Sequence, residues 1–183
     1  MKRELYEEVK EKALELYEKA HIVLTQEEKD NLEVADLGLN DIYRTGIQIV
    51  TYVNTDLCCG KEMCLLPHQT CPEHIHAPIP EKDYIGKEET FRCRYGIVYV
   101  YVDRGEPTPD PKVQPPKGDE AYYTAKHEII LHPGEQYTMV PNTRHWFQSG
   151  PEGAIVSEFS TPSHDELDIF TDPRIDRMPV VED

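Results

Sequence analysis

The chain is short of basic residues, long apolar runs and cysteine. Lys and Arg together number 19 against 35 Asp and Glu, so the formal net charge is −16. This balance excludes the basic footprint that nucleic-acid binding requires. No apolar stretch approaches the roughly 20 residues of a spanning helix, and no basic segment followed by an apolar run opens the sequence. We therefore expect a cytoplasmic protein with no nucleic-acid or membrane partner.

The cysteines are odd in number and poorly spaced for metal binding. An odd set without a secretion signal indicates reduced thiols rather than a disulfide framework. Zinc sites built from thiolates usually need C-x-x-C pairs, and this sequence has none. We therefore expect no thiolate metal site at the five positions Cys58, Cys59, Cys64, Cys71 and Cys93.

Residues 1–36 are predicted to form a helical segment. Strong helix formers fill residues 2–20, with apolar side chains recurring near helical spacing. Thr25 and Glu28 have the spacing of a capping box, which begins a second, short helix. We expect this segment to pack on the outside of the rest of the protein or to form an oligomer contact.

Residues 37–162 have the period-two, β-branched pattern of many short strands. Turn signals at Tyr95-Gly96 and around Gly150 and Gly153 predict separate strands on either side of each. Many short strands with short turns are typical of a sandwich or barrel. Residues 104–118 are proline-rich and predict a surface loop, and residues 163–183 form a tail that wraps the barrel or a neighbouring subunit. One structural domain is expected overall.

Two histidines in this region are placed to bind one metal ion. His74 and His76 are two residues apart, so on a strand they share a face. His145 follows a strand–turn pattern that could bring a third imidazole to the same ion. Three imidazoles and one carboxylate suit a divalent first-row metal such as Mn, Fe, Co, Ni or Zn. Strand parity favours Glu89 as the carboxylate and leaves Glu73, Glu81 and Glu88 as alternatives.

The histidine motifs resemble those of the cupin superfamily, although the carboxylate lies further from His76 than cupin motifs place it. Within the cupins, much of the chain resembles the D-lyxose isomerase family. The blocks that carry the resemblance are GLNDIYRTGIQIVTYVN (38–54), LPHQTCPEHIH (66–76), GKEETFRCRYG (86–96), LHPGEQYTMVPNTRHWFQSGPEGAIVSEFS (131–160) and DELDIFTDPRI (165–175).

The resemblance implies a mainly β, cupin-type double-stranded β-helix, that is, a jelly-roll barrel, with an N-terminal helical arm. It implies a Mn²⁺-dependent aldose–ketose isomerase that interconverts D-lyxose with D-xylulose and often D-mannose with D-fructose. It also implies metal ligands at His74, His76, Glu89 and His145, and a homodimer. The acidic chain fits a neutral aldose or ketose better than a sugar phosphate.

Aldose–ketose isomerisation moves hydrogen between C1 and C2, so we looked for acid–base groups beyond the metal ligands. Glu158 is the leading candidate, because a carboxylate facing into an apolar strand is costly unless it is paired or functional. Lys61 and His68 bracket one strand and could line the mouth of the site. The wider set of candidates also contains Glu62, Glu73, Lys87 and Tyr137. Arg92 and Arg94 share the strand face opposite to Glu89, which favours a surface or interface ion-pair role for them over contact with the sugar. An enediol route is favoured over a hydride shift.

Two other functions fit the same ligand pattern. An iron-dependent cupin dioxygenase would use three histidines and one glutamate in the same way. A sugar-binding cupin without catalysis would keep the fold and the pocket. Oxygen consumption with bound iron would identify the first, and absence of turnover would identify the second.

Overall fold

The computed structural model describes residues 1–178 and 180–182. Two helices, α1 (Arg3–Lys19) and α2 (Gln26–Asp30), come first. The strands then follow in chain order as β1 (Glu33–Ala35), β2 (Ile47–Asn54), β3 (Cys59–Leu65), β4 (Thr70–Ile75), β5 (Glu89–Val102), β6 (His127–Leu131), β7 (Gln136–Met139), β8 (His145–Ser160) and β9 (Ile169–Phe170). Single 3₁₀ turns lie at Pro80–Lys82, Glu120–Tyr122 and Asp165–Leu167.

The strands form one antiparallel sheet that curls on itself. Along one path the order is β1-β2-β3-β8-β4-β9, and β5 pairs with β6, β7 and β8. Strand β8 is the hub, because its first half pairs with β4 and its second half with β3, while β5 follows it along both halves. The predicted mainly β, cupin-type double-stranded β-helix with an N-terminal helical arm is confirmed.

Two predicted turns are bends inside long strands. The sequence predicted separate strands on either side of Tyr95-Gly96 and of the segment that contains Gly153, but β5 and β8 run through both positions. Gly96 and Gly153 have φ of +68° and +78°, and a Cβ on Gly96 would lie 2.0 Å from the Gly153 carbonyl oxygen. The glycines thus allow both strands to bend at one level, with register shifts beside Gly96.

Helix α1 covers the outer face of β3 and β8. Val9 and Ala13 on the helix and Cys64 and Ile155 on the strands are buried in one apolar cluster. The Tyr17 hydroxyl donates to the Glu62 carbonyl at 2.8 Å. This burial explains the apolar stripe of the first helix, whose docking is the main contact between the helical segment and the sheet.

The predicted capping box at the start of α2 is confirmed. The Glu28 amide donates to the Thr25 hydroxyl oxygen at 3.2 Å, and the Thr25 amide donates to the Glu28 carboxylate at 2.7 Å. Two backbone donors that a short helix would leave free are thereby satisfied.

The C-terminal segment after β8 runs across one end of the barrel. Strand β9 pairs with β4 beside His74, and the Asp176 amide donates to the Leu37 carbonyl at 3.0 Å. On the outer side of β4, the buried Glu73 carboxylate accepts from the Thr171 hydroxyl at 2.7 Å and from the Ala125 amide at 2.7 Å. The segment is therefore part of the fold and closes the end of the barrel that holds the histidines.

None of the helices in the described part of the chain has the length and apolar character that a membrane span requires.

Candidate metal centre

Three histidines converge inside the barrel at the end that the C-terminal segment covers. His74 lies on β4 directly opposite His145, the first residue of β8, and His76 follows β4 by one residue. All three are buried, and their ring centroids are 4.3 to 5.5 Å apart. One nitrogen of each ring lies within 4.8 Å of the others. The strand pairing therefore brings together the three imidazoles that the sequence analysis selected.

The Nδ1 atom of each ring is held by an acceptor outside the cluster. His74 donates from Nδ1 to the Pro72 carbonyl at 2.8 Å, and His145 donates to the Thr143 carbonyl at 3.0 Å. His76 donates from Nδ1 to the carboxylate of Asp168. Such second partners fix the orientation of an imidazole and leave its Nε2 lone pair free for a metal.

Glu89, the first residue of β5, faces the same space. Its Oε1 atom lies 3.4 Å from Nε2 of His76 and 3.3 Å from Nε2 of His145. Burial alone would raise the pKa of Glu89, but the neighbouring Lys87 and the imidazoles hold that pKa well below its usual range. Glu89 therefore contributes a carboxylate, with its negative charge, to the cluster.

The close contact between His145 and Glu89 is favourable only if a cation lies between them. Burial lowers the pKa of His145, so its ring is neutral and, with the proton on Nδ1, Nε2 carries a lone pair. That atom makes no hydrogen bond within the described part of the chain, yet it faces a carboxylate oxygen. Two buried acceptors at 3.3 Å are unfavourable unless a positive ion lies between them. The donor set of three nitrogens and one oxygen fits a divalent first-row metal.

The other carboxylates weighed as ligands lie elsewhere. Glu81 and Glu88 are exposed, and the Glu88 amide bonds the hydroxyl of Thr161 on the outer surface. Glu73 points to the outer side of β4, where it accepts hydrogen bonds from two loops. Of the four alternatives in the sequence, the structure brings only Glu89 to the histidines.

Next to this cluster lies a buried network of opposite charges around Lys87. The Lys87 Nζ atom is 3.0 Å from Oε1 of Glu158 and 3.3 Å from Oε2 of Glu89. Burial lowers the pKa of Lys87, but the two carboxylates outweigh burial and hold that pKa well above its usual value. Lys87 is therefore an ammonium that links the Glu89 side of the site to Glu158, which faces inward on β8.

Of the two residues predicted to line the mouth of the site, the structure places Lys61 at the site and His68 far from it. Lys61 is buried opposite Glu158 in the register of β3 and β8, and it donates to Ser163 Oγ at 2.9 Å and to Asp165. His68 is exposed in the turn between β3 and β4, with φ of +61° and its amide bonded to Gly150. That turn lies at the opposite end of the barrel, so the prediction that His68 lines the mouth is wrong. The chain reverses at His68, and only the near end of β3 reaches the site.

Three charged side chains of the site come from the C-terminal segment and are not among the site residues predicted from the sequence. Asp165, Asp168 and Arg177 line the same cavity as Lys61 and His76. The sequence predicts a wrapping tail here, because the segment is acidic and broken by prolines. A signal was present, however: Asp165 and Asp168 are three residues apart, which places them on one side of a single 3₁₀ turn.

The cavity at the site has a volume of about 40 Å³. It has one apolar wall that includes Ile49, Met63 and Phe147, and a second wall formed by the charged side chains. In the charged wall Asp165 contacts the ammonium of Lys61, so a sugar hydroxyl reaches that ammonium when this contact opens.

Comparison with known proteins places these features in context. A protein-family model described as D-lyxose isomerase matches residues 11–183. A D-lyxose/D-mannose isomerase of Thermosediminibacter oceani is 60% identical over 183 residues, covering 100% of this chain and 99% of the relative. A D-lyxose ketol-isomerase of Cohnella laeviribosi is 56% identical over 177 residues, covering 97% and 96%.

Among solved structures, a ligand-free L-ribose isomerase of Cellulomonas parahominis superposes with a TM-score of 0.80. The match covers 96% of this chain and 94% of the other, at 18% sequence identity. At this level of identity the likeness concerns the fold alone.

Proposed function

The chain belongs to the D-lyxose isomerase family and is a sugar aldose–ketose isomerase, and from this premise we propose that it interconverts D-lyxose with D-xylulose and D-mannose with D-fructose. The observation that carries the proposal is the convergence of four buried metal donors with the Lys87–Glu158 pair. This arrangement offers both a cation site and a proton-transfer group in one cavity.

We propose that His74, His76, Glu89 and His145 hold a divalent metal, Mn²⁺ or another first-row ion. The support is the orientation of the three Nδ1 atoms towards outside acceptors, which leaves the Nε2 atoms turned inward. When bound, such an ion polarises carbonyl and hydroxyl oxygens of the sugar.

Glu158 is the proposed acid–base residue. Its carboxylate takes the proton from C2 of the open-chain aldose and returns it to C1 by way of an enediol, while the hydroxyl proton of O2 passes to O1. Lys87 keeps its proton and hydrogen-bonds Oε1 of Glu158, so it orients the base and balances negative charge during the transfer. Lys61, on the neighbouring strand, donates to sugar hydroxyls once its contact with Asp165 opens. The aldose and ketose forms have the same atoms, so no oxidant or reductant is needed.

A homodimer and a cytoplasmic location complete the proposal. Phe159 and Val53 are exposed on an outer sheet face that α1 leaves uncovered, and a second copy would bury them. The five cysteines all lie in the described part of the chain and none is in a disulfide, as expected in a reducing compartment.

The test begins with protein stripped of metal by a chelator. Mn²⁺ is added back, and ketose formation from D-lyxose and D-mannose is measured. We expect activity to return with the metal and to be absent without it. Glu89→Gln should bind Mn²⁺ at least about tenfold more weakly, whereas the matched change Glu88→Gln at the exposed neighbour should bind it normally. No ketose from either sugar, or oxygen consumption with Fe²⁺, would refute the isomerase proposal.

A second test separates proton transfer from a hydride shift. D-lyxose carrying deuterium at C2 is converted in ordinary water, and the ketose is analysed by NMR. Transfer through Glu158 predicts exchange of deuterium with solvent, because a carboxylate proton exchanges while the enediol is bound. Complete retention of deuterium at C1 would instead support the hydride shift.

A further inference from the structure

The site contains three cations that are not metal ligands, and one carboxylate faces all of them. Asp165 contacts the ammonium of Lys61, lies 3.7 Å from Nζ of Lys87 and lies 3.6 Å from Nη2 of Arg177. It also accepts from the Ser163 hydroxyl. The side chains of Lys61 and Lys87 are almost fully buried, while that of Asp165 is 22% exposed. Asp165 therefore lies between these cations and the solvent.

The three cations differ in their other partners. Lys87 also contacts Glu89 and Glu158, and Arg177 contacts Glu33. Lys61 forms its ion pair with Asp165, and Glu158 lies opposite it on the neighbouring strand. A buried ammonium that loses its ion-pair partner attracts another anion strongly, because water no longer screens it. Without Asp165 the cavity keeps Glu89, Glu158 and Asp168, but it would bind an anion more tightly than the unchanged cavity does.

We propose that Asp165 is a specificity-determining residue that excludes anionic substrates, namely sugar phosphates and sugar acids, from the site. Its carboxylate occupies the cation pocket and presents negative charge to an incoming anion. A neutral sugar can replace it with hydroxyl groups when the segment moves. This inference rests on the proposed function for the identity of the neutral substrate, but its charge selection is a property of the pocket itself.

The position of Asp165 in the fold supports this role. It lies on a 3₁₀ turn of the segment that covers the mouth, whereas Lys61 lies on strand β3. The barrel thus supplies the Lys61 cation on a fixed strand, whereas the covering segment supplies both Asp165 and Arg177. The next residue, Glu166, is exposed and contacts only His164 among the charged groups of the described chain. Glu166 offers a control with the same change in net charge outside the pocket.

The experiment measures binding of sulfate to the protein by calorimetry, with and without Mn²⁺. We expect Asp165→Asn to bind sulfate about tenfold or more tightly than the unchanged protein, because one negative charge within 4 Å is removed. Glu166→Gln should bind sulfate as the unchanged protein does. Adding Lys61→Met to Asp165→Asn should abolish the gain in sulfate affinity, since it removes the ammonium that Asp165 no longer pairs with.

Sulfate inhibition of ketose formation is the second readout, and it should increase only in Asp165→Asn. Calorimetry needs no turnover, so absence of isomerase activity would leave the charge selection open to test. Equal sulfate binding by Asp165→Asn and the unchanged protein, or an equal gain in Glu166→Gln, would overturn the proposal. Thermal unfolding checks that Asp165→Asn is folded; Asp165→Ser, which keeps an acceptor for Lys61, is the replacement if it is not.

Discussion

The barrel interior has a charged end and an apolar end, and the same strands build both. On β3, Lys61 and Met63 face inward two residues apart, and on β8 Glu158 and Val156 do the same. All four side chains are buried. On β5 the inward side chain changes in the same step from Glu89 to Phe91. A step of two residues along each strand therefore separates the charged side chains of the site from the apolar side chains of the core.

This difference shows how the charged network is kept rigid. The apolar layer excludes water below the site, so the ion pairs around Lys87 act in a low-dielectric environment and are stronger than surface pairs. The layer also fixes the backbone of the strands that carry the charges. Replacements of similar shape at the charged end should therefore alter chemistry more than folding, while changes one or two pleats deeper should alter folding more than chemistry.

The largest effect is expected from Glu158→Gln. The amide keeps the size of the side chain but cannot accept a proton from C2, so kcat for ketose formation from D-lyxose should fall by about 10² to 10⁴. Metal affinity should stay unchanged, because Glu158 contacts Lys87 rather than the histidines. Glu152→Gln, at an exposed position on the same strand, is the matched control. A variant that retains full kcat would remove Glu158 from the mechanism.

Leu65→Ala tests the apolar end. Leu65 is fully buried two residues beyond Met63 and belongs to the apolar cluster of the barrel. Its truncation should lower the free energy of unfolding by about 2 to 5 kcal/mol, through lost burial and the cavity left behind. Urea unfolding measures this loss, and kcat of the folded fraction should remain near that of the unchanged protein. Leu57→Ala, at a side chain that is 86% exposed, should change stability by less than about 0.5 kcal/mol.

A smaller effect is expected at the border of the charged end, from Asp168→Asn. Asp168 accepts the Nδ1 proton of His76 and so orients this imidazole. The neutral amide can still accept that proton but carries no charge, and Mn²⁺ affinity should fall by about tenfold. Calorimetry above pH 9, where His76 is already neutral and no proton competes with the ion, measures the change, with Glu166→Gln as the control. An affinity equal to that of the unchanged protein would show that orientation of His76 does not depend on the carboxylate.

The sequence predicts the parts of the site that lie on regular strands. Period-two spacing places His74 and His76 together, and strand parity selects Glu89 over Glu88, because both follow from alternation along the chain. The prediction that His68 lines the mouth of the site was wrong, since proximity to a strand does not say at which end of the barrel a turn lies. That information depends on the direction of β3 in the folded sheet.

Long-range contacts account for the rest of what was missed. Asp165, Asp168 and Arg177 reach the site only because β9 pairs with β4, and this pairing joins residues far apart in the chain. The bends at Gly96 and Gly153 looked like turns, because a glycine with positive φ serves either purpose. Only the close approach of Gly96 to Gly153 across β5 and β8 distinguishes a bend within a strand from a hairpin turn.

The last prediction concerns the single proton that the charged end should release when it binds a metal. Burial lowers the pKa of His74 and of His145, so both rings are neutral at pH 7. Burial and Lys87 also lower the pKa of His76, but Glu89 and Asp168 outweigh them and raise that pKa to about 9. In the metal-free protein His76 is therefore protonated below about pH 9 and must lose its proton to bind an ion.

Mn²⁺ binding at pH 7.5 should therefore release about one proton, and the affinity should rise about tenfold per pH unit between pH 7 and 9. Above pH 9 the rise should stop, because His76 is then already neutral. Calorimetry in buffers of different ionisation enthalpy counts the protons. Asp168→Asn should release less than a full proton, since one of the carboxylates that raise the pKa of His76 is lost. Release of no proton, or of two or three, would show that His76 does not differ from the other imidazoles in this way.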